Sequence, residues 1–112
     1  MRLYLMLPLI LCATTAISEA RPWATMRGPQ IASILTGKTV QYATAKQDFR
    51  TSGRTLYSAG AESWGYWVVR DNQYCSMWPP SDIWACYDMT IQAPNIRFIG
   101  AAGDVTEGVV LD

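Results

Sequence analysis

The chain contains no histidine, which removes the commonest general base and the commonest zinc ligand. It has only three cysteines, Cys12, Cys75 and Cys86, and no paired-cysteine metal spacing or phosphate-binding glycine loop. Charge is sparse at 16% of residues, and the nine basic and nine acidic side chains cancel. That balance gives no electrostatic footprint for nucleic acid or for an anionic membrane surface. No apolar run is long enough to span a bilayer. The sequence therefore points to no metal, no cofactor and no catalytic constellation. The acidic residues Asp48, Glu62, Asp71, Asp82, Asp88, Asp104 and Glu107 fall mostly in turns, and no spacing brings two of them to one site.

Aromatic residues are what the chain does have, with five tryptophans and six tyrosines. They concentrate between Trp64 and Gln92, in three β-rich runs separated by turn formers: 64–70, 73–78 and 83–92, with Asp71 and Asn72 in one gap and Pro79 to Asp82 in the other. A two-residue turn at Asp71 and Asn72 sets Arg70 opposite Gln73, Trp67 opposite Ser76 and Gly65 opposite Trp78. A loop at Pro79 to Asp82 sets Trp78 opposite Ile83 and Cys75 directly opposite Cys86, within disulfide reach. Alternation then puts Gly65, Trp67, Val69, Tyr74, Ser76, Trp78, Ile83, Ala85, Tyr87, Met89 and Ile91 on the core face, and the disulfide on the other. Gly65 leaves room for Trp78, and Ser76 leaves room for Trp67.

The first twenty residues have the three-part layout of a secretory leader: Arg2, an apolar run from Leu3 to about Ala13, then small residues ending in Ser18, Glu19 and Ala20. Cleavage after Ala20 removes one basic and one acidic residue and leaves two cysteines, the count for one disulfide in an oxidising compartment, periplasmic or secreted. Acylation at Cys12 is the alternative, with bulky Leu11 against it.

After an exposed lead-in from Arg21 to Gly28 anchored by Trp23, the pattern predicts a helix over 29–35, with Pro29 in its first turn and Gly37 beyond its end. Strands follow at 39–44, 47–50 and 54–58, then the aromatic meander, then strands at 96–99 and 108–111. About eight short strands in meander order, with one N-terminal helix, predict an all-β fold: a small lipocalin-like barrel or a flattened sandwich.

Several stretches, Leu35 to Val40, Gly65 to Trp67, Cys75 to Trp78 and Cys86 with Tyr87, resemble uncharacterised families of small exported proteobacterial proteins. The resemblance implies a β-rich domain with a single disulfide and implies no activity.

Two function classes follow. In the first, Trp67, Tyr74, Trp78 and Tyr87 line a barrel mouth and hold a small apolar or amphipathic ligand, making this a non-catalytic binding or interaction protein. Against it stands an ordinary aromatic core. In the second, the Pro79 to Asp82 loop enters an enzyme such as a lysozyme as an inhibitor. Arg54, Arg70 and Arg97 read as solvated strand residues with the chemistry to meet an anion. Trp84 and Met77 lie on the non-core face and need a cover, for which Trp23 is the candidate.

Overall fold

A computed structural model describes residues 4–6, 8–10 and 21–112. The expected cleavage after Ala20 and the alternative at Cys12 lie outside the described residues. No helix among the described residues is long and apolar enough to cross a membrane.

The chain runs β1 (Ala24–Thr25), α1 (Gly28–Leu35), β2 (Lys38–Gln41), β3 (Lys46–Phe49), β4 (Arg54–Ala59), β5 (Ala61–Arg70), β6 (Gln73–Met77), β7 (Ala85–Gln92), β8 (Asn95–Ile99) and β9 (Val105–Leu111). From β2 onward each strand pairs antiparallel with the next, and β9 pairs back with β2. The result is a closed eight-stranded up-and-down barrel plus one extra strand, not a sandwich. Closure leaves none of its eight strands as a full-length edge, the reason short strands in meander order favour it.

The hairpin register follows the turn chemistry. Asp71 adopts the left-handed conformation (φ 53°) that a tight two-residue turn requires. Arg70 faces Gln73, Trp67 faces Ser76 and Cys75 faces Cys86. The Cys75–Cys86 disulfide is formed between directly opposed residues, their Cα atoms 4.0 Å apart. The next connection is longer than the sequence indicates. Strand β6 ends at Met77 and β7 begins at Ala85, so the pairing of Trp78 with Ile83 does not form. Two adjacent prolines without N–H groups cannot carry a ladder, and Ile83 is 73% exposed instead of facing the core.

The lead-in is also more ordered than expected. Strand β7 continues beyond the Asp71–Asn72 turn, where β6 no longer accompanies it, and β1 takes that place with Ala24 opposite Ile91 and Thr25 opposite Thr90. Met26 extends the pairing, its N–H donating to the Met89 carbonyl at 2.9 Å, and its side chain is buried. Met26, not Trp23, is the anchor.

Helix α1 closes one mouth. Pro29 stands in its first turn, the Arg27 N–H donates to Gln30 Oε1 at 3.0 Å, and Gly37, with φ 74°, follows its end. At its start the Gly28 N–H donates to Asn72 Oδ1 at 3.0 Å, and a Cβ on Gly28 would collide with the Asp71 carbonyl oxygen. Ile31 and Leu35, at helical spacing, are fully buried and join Met26, Val40, Met89 and Ile96 in the core. This half of the barrel is solid.

Candidate functional site

The mouth opposite the helix is ringed by the β2–β3, β4–β5, β6–β7 and β8–β9 connections, as an antiparallel meander requires. It opens into a cavity of about 980 Å³, at the upper end of the size range of small-molecule sites. The inward-facing strand positions supply its walls, and the tightest stretch of wall is polar. Gln47 is buried on β3 between two tyrosines and a threonine. Its Nε2 donates to Thr55 Oγ1 at 3.0 Å and to the Tyr74 hydroxyl at 3.2 Å, and its Oε1 accepts from the Tyr42 hydroxyl at 2.7 Å. Nearby, Trp78 Nε1 donates to Ser76 Oγ at 3.3 Å.

Around this network the aromatic rings form a continuous collar. Trp78 meets Tyr57 at 6.1 Å between centroids, Tyr57 meets Tyr42 at 6.1 Å, and Tyr42 meets Phe98 at 6.1 Å. Phe98 meets Tyr74 at 5.1 Å, and Tyr74 meets Tyr87 at 5.9 Å. All six line the cavity, and the tilted and edge-on contacts are those that aromatic quadrupoles favour. Burial is the main cause that pushes the Tyr42 phenol far above its ordinary pKa, with the neighbouring Tyr74 and Tyr57 adding to it, and burial raises Tyr74 as well. Both are neutral hydrogen-bonding groups across the physiological range.

Of the four residues singled out in the sequence, Tyr74, Trp78 and Tyr87 stand together on this cavity and Trp67 does not. Trp67 faces inward as its alternation requires, but one level nearer the helix. Its ring lies edge-on to Phe49 at 5.5 Å, its Nε1 donates to the Arg50 carbonyl at 2.9 Å, and it is 8% exposed. Trp67 is thus core, and Phe49 and Trp67 pack beneath the floor that Tyr74 and Phe98 provide. Tyr42, Gln47, Tyr57 and Phe98 were not legible as site residues. One signal for two of them existed: carrying the pairing count back through the Thr51–Gly53 turn sets Gln47 opposite Tyr57.

Two carboxylates, Asp104 and Glu107, stand on the cavity rim. They are directed at different partners, since the Asp104 carboxylate folds over Gly100 and Glu107 Oε2 lies 3.8 Å from Arg97 Nε. The arginines outside the barrel are stacked on rings. Arg54 lies 4.9 Å from the Trp64 centroid, Arg70 4.7 Å from that of Trp84 and Arg97 3.8 Å from that of Trp23. Trp84 is therefore covered by Arg70, and Trp23 packs under Arg97. A guanidinium shields an aromatic face while keeping its own edge in water.

No family model, curated protein or solved structure matches this chain.

Proposed function

We propose that this is a non-catalytic binding protein of an oxidising, extracytoplasmic compartment, and that it holds a small amphipathic ligand in the open half of its barrel. The observation that carries this reading is the cavity of about 980 Å³, walled by six touching aromatic rings around a buried, hydrogen-bonded glutamine. A small domain gains stability from a filled core, and here the helix end is packed solid while the other end is not. Large rings supply contact area at low conformational cost, and the Gln47 network holds Tyr42 and Tyr74 in place, so the site is preorganised. The Cys75–Cys86 disulfide and the leader-like first twenty residues support the compartment.

The test is native mass spectrometry of protein purified from its own host, together with titration by N-phenyl-1-naphthylamine, an uncharged probe that fluoresces on entering apolar sites. A retained small molecule, and probe uptake weakened by Tyr87→Leu, are expected. The absence of both a retained mass and probe uptake would count against the ligand site.

The inhibitor reading draws on one observation, the apolar Ile83 standing 73% exposed in the proline-containing 78–84 loop. It predicts stoichiometric loss of turnover when a lysozyme is mixed with this protein. Unchanged turnover counts against that reading.

A further inference from the structure

The hydrogen-bond directions in the cavity wall are determined by a single proton. The Thr55 hydroxyl donates to the Asp48 carbonyl at 2.8 Å, so towards Gln47 its oxygen can only accept. The glutamine atom facing Thr55 is therefore Nε2, and Oε1 must face Tyr42. Tyr42 is then obliged to donate its only proton to Gln47, which leaves lone pairs as all its hydroxyl can offer the cavity. Trp78 likewise directs its one N–H at Ser76. Tyr42 and Trp78 thus direct their donors into the wall, whereas Tyr74, which accepts from Gln47, and Ser76, which accepts from Trp78, keep their own protons to donate.

Charge and ring chemistry have the same sign. The carboxylates on the rim are Asp104 and Glu107, of which Glu107 is paired with Arg97 outside the barrel, and no lysine or arginine lines the cavity among the described residues. The collar adds six aromatic quadrupoles, whose negative faces attract cations, the more strongly the better the site excludes water. An anion would meet the Tyr42 lone pairs and the Asp104 carboxylate, with hydroxyl donors such as Tyr74 but no cationic partner to receive it. A cation meets the Tyr42 lone pairs, the Asp104 carboxylate and the aromatic collar.

On the basis that the cavity is a ligand site, we infer that its occupant is a small organic cation, with a protonated amine or quaternary ammonium seated among Trp78, Tyr57, Tyr42 and Tyr87 and an apolar body filling the remaining volume. Asp104 supplies longer-range attraction at the entrance, since Glu107 is paired with Arg97.

The test compares three probes of nearly equal shape by calorimetry and tryptophan fluorescence: choline, its uncharged carbon isostere 3,3-dimethylbutan-1-ol, and the anion 3,3-dimethylbutanoate. Choline should bind at least about tenfold more tightly than the alcohol, in line with a desolvated cation–π site, and the carboxylate should bind most weakly. Asp104→Asn, in an exposed loop where folding is not at stake, should weaken choline severalfold and leave the alcohol unchanged. Tyr57→Leu should erase the preference for choline. Equal binding of choline and the alcohol, or tighter binding of the carboxylate, would overturn the cation assignment. N-phenyl-1-naphthylamine separates the two levels of inference. If it enters and choline has no advantage, the cation assignment fails and the ligand site stands; if none of the four probes binds, both fail.

Discussion

Gly65 on β5 lies directly beneath the indole of Trp78: a Cβ built on the glycine would come within 2.5 Å of Trp78 Cε3. The contact lets the ring fold inward at the point where β6 ends, so that Trp78 becomes a wall of the cavity instead of part of the exposed loop that follows.

Gly65→Val should therefore act on the site as well as on the fold. Overpacking of this kind costs about 1 to 3 kcal/mol, and here the displaced group is the indole itself. Denaturant unfolding should show a loss in that range, and Trp78 fluorescence should shift to longer wavelength as the ring moves towards solvent. An unchanged spectrum would show that Trp78 does not rest on Gly65.

Trp67 and Tyr87 both face inward and should respond differently to truncation. Trp67→Ala leaves a hole in packed core and removes one of the two hydrogen bonds to the Arg50 carbonyl, which keeps that from the Gly53 N–H, and should cost about 3 to 5 kcal/mol. Tyr87 borders an existing cavity, so Tyr87→Leu should cost less than half as much and act chiefly on binding. Thermal and denaturant melts of the two variants decide the matter; a loss below about 1 kcal/mol for Trp67→Ala, far under the core range, would place that residue outside the core.

The disulfide joins residues 11 apart in sequence. Replacing Cys75 and Cys86 together with alanine should lower stability by about 2 to 5 kcal/mol, and non-reducing peptide mapping of the protein purified from its own host should recover the two cysteines linked. Recovery as free thiols would refute the pairing.

Alkaline pH should unfold the protein through its buried tyrosines. Tyr42 and Tyr74 have folded-state pKa values raised above the ordinary 10.0, so the unfolded chain loses its phenolic protons first. Their contribution to stability is full below about pH 10 and declines as pH rises above that, by up to about 1.4 kcal/mol per pH unit for each group. Tyr42→Phe should be less stable at pH 7, where the Gln47 Oε1 bond is lost, and should show a shallower decline between pH 10 and 12. Parallel slopes for the variant and the parent would rule out Tyr42 as a source of the pH dependence.

The sequence by itself determined the strands, their meander order, the two-residue turn at Asp71 and Asn72 and the Cys75–Cys86 pairing. Each of these is a local property: a period-two alternation, a turn former, or a count of residues from a turn. It also determined that Trp67, Tyr74, Trp78 and Tyr87 face inward, though not that Ile83 and Ala85, placed on the same face by alternation, are exposed. Only the tertiary structure decided how high along the barrel each of them stands, and hence that Trp67 is core while Tyr42, Gln47, Tyr57 and Phe98 join the site. Alternation gives a side chain's face but not its level. Levels are set by the stagger between strands when the sheet closes, and closure here pairs β2 with β9, whose contacts Thr39 with Leu111 and Gln41 with Val109 are remote in sequence. For the same reason the cover over Trp84 was not legible. Arg70 and Trp84 lie in different segments of the chain, and their stacking depends on how the 78–84 loop is carried around the barrel wall.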